Sequence, residues 1–549
     1  MLPIQDIGGR TGDSLVPFVV IKTTKVGPLS FNFSKTGSPL TWDMGDGTIH
    51  TNTNFVLHNY ILAGEKTIIV YGDDVSLLTG ISSNNNREIT YVDLSLTTNI
   101  SGQINFNTNP LTTFIQPAST GNCEVSLNTT LLSGVLDVSN IKVAGAFYTY
   151  GTAITSITHN TDNTQFTDDY RIHSSDITGT HDMKGVRITS GNAWFLDNPS
   201  LTSLLLNADL NQICNSFGID QCDITGVLDL SNLEIKTFYQ FYDNPNLTDI
   251  IHKATTAINM NRYFAWNTGL VNLDLSMISD LQGSFRIYSC SDLETINFSS
   301  GNATLNNTVL TSFWFHDNPK LLGLDFTGFT SVTGNFNLHT NPLSTFYTFN
   351  PTPSGKGCIM VLYDNNSIVN IDFSMLTIEA VLDIFRNSLL EVMSINNTTN
   401  SLPLTRVRLM QNPNVPLIDL SKLVFDTSVT SLEIDVAPGN VIKTIIPPIS
   451  ISSTTGTLNA YNNPSLSPFD PSGMSSHFNI DNHFSRYFNN NWSAAQVNEL
   501  LVQLDGIILP GFINRTLQIG GNAAPDATSG GFDGLAAQSS IIGKGVTIA

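Results

Sequence analysis

Apolar and polar positions along this chain alternate in short bursts, and the bursts return. "FLDNPSLTSLLL" from Phe195, "FYDNPNLTDII" from Phe241, "FHDNPKLLGLDF" from Phe315, "LHTNPLSTF" from Leu338, "LYDNNSIVNIDF" from Leu362 and "LMQNPNVPLIDL" from Leu409 share an Asn and a following ladder of apolar residues. Aligned on that Asn, matches fall at Asn86, Asn109, Asn198, Asn244, Asn267, Asn318, Asn341, Asn365, Asn387, Asn412 and Asn463. Weaker copies lie near Thr130, Thr152, Ser175, Cys222 and Cys290, and a degenerate one near Pro438. Most successive steps are 21 to 26 residues. A recurring period of that size predicts a solenoid, in which no single coil can bury its apolar face but a stack of coils can.

Each unit carries two pieces whose hydrophobicity alternates with a period near 2, the period of a strand. One is L-x-x-L-x-L, as in "LVNLDLS" (Leu270 to Ser276); the other is the run before the Asn, as in "SFRIYSC" (Ser284 to Cys290) and "GNFNLHTN" (Gly334 to Asn341). Phe285, Phe313 and Phe336 fall five positions before the Asn site, and Ile287, Phe315 and Leu338 three before it. Both rows should face the core. Coils in such a stack lie about 4.8 Å apart, so the Asn side chains should bond the turn backbone and one another along it.

The L-x-x-L-x-L segments, the Asn/Cys site and the period resemble leucine-rich repeats, with a second half that reads as extended instead of helical. Ahead of them, Trp42, Asp43, Gly45, Asp46, Gly47, His58, Tyr60, Gly64 and "KTIIVY" resemble a polycystic-kidney-disease-type (PKD) domain, a small Ig-like β-sandwich. The D-x-G-D-G run there reads as a tight turn with Gly at positive φ in preference to a calcium site. After the repeats, Ser493 with Gln496 forms a capping-box pattern, and Val497, Leu500, Leu501 and Leu504 make the apolar stripe of a helix. "LQIGGNAAP" reads as one last coil, and "FDGLAAQSSIIGKGVTI" as a short helix and a strand. The expected architecture is mainly β. It comprises an N-terminal extension (1–15), a PKD-like β-sandwich (16–80), a leucine-rich β-solenoid of about 16 coils of about 23 residues (81–470), and a small α/β capping region (471–549).

Charge narrows the function. Only 13% of the 549 residues are charged, and the net charge is −21 with no Lys/Arg cluster, which argues against nucleic acid and anionic membranes as partners. No run of 18 apolar residues predicts membrane insertion. The five cysteines, Cys123, Cys214, Cys222, Cys290 and Cys358, are scattered and read as buried thiols. The opening "MLPIQDIGGR" has no basic start or long apolar stretch, so no signal peptide is expected. No H-E-x-x-H, G-x-S-x-G or phosphate-loop motif occurs, and the expectation is no enzyme, no cofactor and no metal.

Two outward columns remain. The acidic one, Asp93, Asp137, Asp229, Asp274, Asp325, Asp372 and Asp419, reads as a solvated strand face, with weak cation binding as the sharper alternative. The aromatic one lies two before the Asn site: Leu196, Tyr242, Ala265, Tyr288, His316, His339, Tyr363, Phe385 and Met410. The position four before adds Trp194, Tyr263 and Trp314. Aromatics in a row on a rigid sheet can stack on sugars or anchor a protein, or can pack against each other. The candidate binding set is therefore Trp194, Tyr242, Tyr263, Tyr288, Trp314, His316, His339, Tyr363 and Phe385. Together with the resemblance to bacteriophage fibre and receptor-binding proteins, this implies a non-enzymatic virion protein: a tail or head fibre, or a decoration protein. It would contact other virion proteins through its N-terminal domain and a host-surface glycan or protein through the solenoid, with a homo-oligomer as a further expected partnership. The alternatives are a bacterial surface adhesin and a polysaccharide depolymerase.

Overall fold

The computed structural model describes residues 16–549 apart from 36–39, 52, 73–77, 84–87, 99, 120–121, 161–163, 167–168, 209–211, 254–259, 277–280, 299–308, 325–330, 343–344, 347–357, 374–377, 396–403, 422–431, 437–442, 447–455, 475–477 and 480. Strand accounts for 52% and helix for 8%, and the body of the fold is a long β-solenoid. The chain divides into two compact units, Met1–Lys253 and Ala254–Ala549.

The first unit begins antiparallel. Val16–Thr23 pairs with Lys66–Gly72 and with Ile89–Asp93, while Gly27–Lys35 pairs with Phe55–Tyr60 and Leu78–Ser82. Trp42 is fully buried against Phe31 and Phe33, and its Nε1 donates to the Thr53 carbonyl at 2.9 Å. The D-x-G-D-G run is a tight turn. Gly45 and Gly47 have φ of 72° and 91°, and the Asp43 and Asp46 carboxylates accept from the amides of Gly45 and Thr48. Both sheets then run on into the first coil. Leu78–Ser82 pairs in parallel with Gln103–Asn105, and Ile89–Asp93 with Thr113–Ile115.

In the coils, the strand before the Asn site pairs with its equivalent one coil on, always in parallel. Phe285, Phe313, Phe336, Met360, Leu382 and Val407 align in one buried row, and Ile287, Phe315, Leu338, Leu362, Ile384 and Leu409 in the other. Burying successive aromatic rows at about 25 cal/mol per Å² of apolar surface is what holds the coils together.

The Asn column works as expected. The Asn341 amide donates to Asn365 Oδ1 (3.2 Å), that of Asn365 to Asn387 Oδ1 (3.0 Å) and that of Asn387 to Asn412 Oδ1 (3.1 Å). Each Nδ2 donates back to two carbonyls, as Asn365 does to Leu338 and Tyr363 at 3.0 Å. Thr130, Thr152, Ser175, Cys222 and Cys290 occupy the same buried site, and Asn522 of "GGNAAP" joins it by accepting from the Asn490 amide. The residue before each Asn is left-handed, with φ between 47° and 60° from Thr108 to Gln411, which bends the chain out of the strand. Asn86 and Pro438 lie outside the described residues.

Asn267 belongs to this left-handed column (φ 50°), not to the Asn site, which Thr268 fills through its hydroxyl against Cys290 Sγ. The alignment is therefore one residue off in that coil. A slip of one residue exchanges the faces of a strand.

The L-x-x-L-x-L strands behave differently. Among the described residues their ladders join them in twos: Gly179–Asp182 with Leu201–Leu205, Gly226–Asp229 with Leu247–Ile251, Asn272–Leu275 with Thr295–Phe298, Asn370–Phe373 with Val392–Ile395, and Leu417–Asp419 with Thr444–Ile446, with single bonds such as the Thr225 amide to the Thr202 carbonyl (2.9 Å) between pairs. The first strand of each pair carries an Asp at its end (Asp182, Asp229, Asp419) or one residue before it (Asp274, Asp372). In most of them the Asp Oδ1 accepts an amide two residues on, as in Ser231 to Asp229 and Ser276 to Asp274, both at 2.9 Å. The acidic column is thus a set of strand-ending Asx turns. Its cross-strand neighbours include Thr158, Leu205, Ile251 and Asn297, so carboxylates do not stack on carboxylates. Asp325 lies outside the described residues.

The first unit's core holds one polar cluster. Tyr170 OH lies 2.8 Å from His159 Nε2 and 2.7 Å from His181 Nε2, all three buried. Burial pushes the His181 imidazole down to about 4 and holds His159 well below its usual value.

At the C-terminal end, Phe484–Arg486, Arg515–Gln518 and Val546–Ile548 continue the parallel sheet. The helices Ala494–Ile507 and Gly534–Gly543 fall between them in sequence. Ser493 and Gln496 form the capping box, and Val497, Leu500, Leu501 and Leu504 are buried. No described helix is long and apolar enough to cross a membrane. Cys123, Cys214, Cys222 and Cys290 are buried free thiols; burial pushes Cys214 and Cys222 up to about 12.

Candidate functional site

The parallel in-register pairing that builds the core also stacks whatever points outward. In the second unit, Trp266, Tyr288, His316, His339, Tyr363 and Phe385 occupy one register position on successive strands. Their ring centroids are 5.3, 4.6, 4.3, 4.4 and 4.7 Å apart in that order, with interplanar angles of 25°, 17°, 8°, 7° and 3°. Tyr288, His316, His339, Tyr363 and Phe385 are thus brought together as the sequence implies. Trp266 is the member that sequence reasoning missed. Two predicted positions go the other way. Tyr263 is fully buried in the core row beside Phe285, and Ala265 sits in the core row with Ile287. Both errors follow from taking Asn267 for the Asn site.

The ladder's geometry restricts its chemistry. Each inner ring has a neighbour against both faces, so only ring edges, the Tyr hydroxyls and the His nitrogens face outward for a ligand. At one end Arg386 lies over Tyr363 and Phe385, 5.7 and 5.3 Å from their centroids, and pairs with Asp364 at 2.7 Å. His316 Nδ1 is 2.8 Å from Asp317 Oδ2. Burial, then the neighbouring His316, pushes His339 down to about 4, so its imidazole is neutral at physiological pH. The position four before the Asn site forms a second outward column, in which Arg286 is sandwiched between Phe264 (5.1 Å) and Trp314 (4.7 Å).

In the first unit, Tyr242 is half-buried beside Asp220. Trp194 lies over Gly218, where an added Cβ would come within 2.2 Å of its ring, and meets Phe238 edge-on at 5.8 Å. G218A is expected to displace that ring at a cost of about 1–3 kcal/mol. Tryptophan emission and Tm would read the change, and an unaltered spectrum and Tm would count against the packing described.

The same unit holds an open groove of about 440 Å³ between Tyr148, Tyr150, Arg171, His173 and Leu196. Tyr150 is 43% exposed and stacks on His173 at 4.5 Å and 8°. His173 Nε2 pairs with Asp197 at 2.8 Å. Arg171 lies over the Tyr148 ring and pairs with Asp169, which also accepts from Tyr148 OH at 3.2 Å. The groove offers one partly open aromatic ring together with hydroxyl, amide, guanidinium and imidazole groups from Tyr148, Asn128, Arg171 and His173. Sequence reasoning missed Tyr148, Tyr150, Arg171 and His173, yet the signal was there. Tyr150 and Tyr148 lie two and four before Thr152, and His173 and Arg171 two and four before Ser175.

Nearby, Asp220 is pushed up to about 6, by burial first and then by Asp243 and Asp197, while Gln240 Nε2 donates to it at 3.2 Å. Among the described residues, ligand atoms of His316, Asp317 and His339 lie within 4.8 Å of one another, a grouping suited to a metal ion. A comparison with known protein families, with curated proteins and with solved structures finds no match to this chain.

Proposed function

We propose that this chain is a non-enzymatic structural and recognition protein of a bacteriophage virion, a tail or head fibre or a decoration protein. In this reading the antiparallel N-terminal segment is a PKD-like β-sandwich that attaches the chain to other virion proteins. The solenoid is of leucine-rich-repeat type, closed by the C-terminal helices, and presents its outward face to a host-surface glycan or protein. The observation that carries the recognition half is the groove at Tyr150 and His173, where an exposed ring, Tyr148, Arg171 and His173 line one open volume, and Asp169 and Asp197 pair with the Arg171 and His173 side chains. Rings with hydrogen-bonding groups around them suit polyhydroxylated ligands, and sheet-mounted side chains are held without ordering a loop. The low-charge surface and net charge of −21 fit an extracellular setting.

Binding of the full chain to host cells and to their isolated surface polysaccharide tests this. Y150A with R171A is expected to weaken binding by about 30-fold, the loss that follows when an anchor worth about 2 kcal/mol is truncated. Undiminished binding by that variant would remove the groove from the reading. Immunogold labelling that decorates cells and leaves particles bare would replace the virion with a bacterial adhesin. Asp220 gives the depolymerase alternative its one concrete support, a carboxyl raised to about 6 beside other acids from adjacent coils. Chain shortening of the polysaccharide that disappears in D220N would establish it.

A further inference from the structure

We propose that His316, His339 and Asp317 bind a divalent transition-metal ion of the Zn²⁺ class on the outward face of the sheet. The two imidazoles sit at one register position on adjacent strands, stacked at 4.3 Å and 8°. Their backbones are fixed relative to each other by the ladder and by the Asn318 amide donating to Asn341 Oδ1 at 3.1 Å. Metal-ligand atoms of all three side chains already lie within 4.8 Å of one another. Two ligands on a tetrahedral Zn²⁺ stand about 3.4 Å apart, so the two rings tilt out of their parallel stack for their in-plane lone pairs to converge on one ion.

The tautomers suit the task. The Asp317 carboxylate can only accept, so His316 Nδ1 carries the proton in their 2.8 Å hydrogen bond and Nε2 is left as the ligand atom. His339 repeats the arrangement one coil on, with Nδ1 3.1 Å from Thr340 Oγ1. In both, the partner is the left-handed residue that follows the strand, with φ of 56° at Asp317 and 57° at Thr340. The fold therefore orients both rings by the same turn. Asp317 keeps that orienting role while it accepts from Nδ1, and gives up that bond if it supplies an oxygen ligand. Two imidazoles and a carboxylate favour Zn²⁺, Ni²⁺ or Cu²⁺ over Ca²⁺ or Mg²⁺, and leave coordination positions for water or for a group on a binding partner. Tyr288 and Tyr363 stack on the outer faces of the pair, 4.6 Å from His316 and 4.4 Å from His339, and confine the ion to the ring edges.

Titration calorimetry of the full chain with ZnCl₂ at neutral pH tests the site without reference to any host ligand. One equivalent should bind, with no competition from Mg²⁺ or Ca²⁺. H316Q/H339Q should lose that equivalent, while D317N should weaken it roughly 10- to 100-fold. H50Q, which alters the other close histidine pair (His50 Nε2 to His58 Nδ1, 3.3 Å), should bind as the parent chain does. Co²⁺ in place of Zn²⁺ should give d–d absorption that D317N shifts, a readout that survives if the double variant fails to fold. No binding by the parent chain, or full binding by a folded H316Q/H339Q, overturns the site.

Discussion

Replacing Asn365 by alanine is expected to destabilise the solenoid by about 3 kcal/mol. Asn365 is fully buried. Its Oδ1 accepts from the Asn341 amide, its Nδ2 donates to the carbonyls of Leu338 and Tyr363, and its own amide donates to Asn387. Truncation leaves the Asn341 amide without its acceptor and takes a donor from the Leu338 carbonyl and from the Tyr363 carbonyl, which keeps the Thr340 amide at 3.1 Å. A buried group stranded in this way costs about 1–3 kcal/mol. N365C should be milder, because the chain itself uses cysteine at this site. Cys222 Sγ lies 3.5 Å and 3.4 Å from the Phe195 and Asp220 carbonyls, which preserves the donor role and gives up the acceptor. Hydrogen exchange of the flanking strands, read together with Tm, should rank parent, N365C and N365A in that order. Equal protection in all three would mean that the column decorates the coils without holding them.

Acid should weaken the first unit through His159, Tyr170 and His181. In an unfolded chain His181 titrates near 6.5, and in the folded protein at about 4. Between those values the unfolded chain holds a proton that the folded chain excludes, so stability is complete above about pH 6.5 and falls as the pH drops towards 4. The loss from His181 alone is about 3 kcal/mol, and His159 shifts in the same direction. Burial disfavours charge on both imidazoles, His181 disfavours it further at His159, and the Asp182 carboxylate offsets the effect at His181 only in part. Limited proteolysis of the first unit at pH 7.5 and pH 4.5 should show the opening. H181L, which removes one titrating group, should narrow the difference between the two pH values. An unchanged difference would assign the acid sensitivity elsewhere.

The repeat, the core rows, the Asn column and the C-terminal helix were all legible in the sequence, because each follows from a period. Phe313 and Phe336 announce a strand face through alternation, and Val497, Leu500, Leu501 and Leu504 announce a helix through theirs. What failed was register in one coil. "WNTG" presents an Asn at 267, and only the side-chain bond from Thr268 to Cys290 shows that the next residue holds the site. Tyr263 and Trp266 exchanged faces as a result. The groove was hidden for a related reason. Thr152 and Ser175 are weak matches, so the aromatic and charged residues before them were not read as columns. The His316–Asp317–His339 group was invisible to motif reading, since its ligands come from strands a full coil apart and meet only through the stack. The doubled period on the second face was present as well. Asp93, Asp137, Asp182, Asp229 and Asp274 fall 44 to 47 residues apart, twice the spacing of the Asn site.

That doubling bears on how such a chain can change its length. The strand before the Asn pairs with every neighbour, so that face would accept the insertion of one coil. The L-x-x-L-x-L face is less permissive, because coils that carry the Asp turn alternate with coils that lack it. Adding one coil would set two strands of the same kind side by side; adding two would keep the alternation. Tandem duplication that preserves it therefore comes in steps of about 46 residues, or roughly 10 Å of reach per event at 4.8 Å per coil. Viable length variants should differ by even numbers of coils.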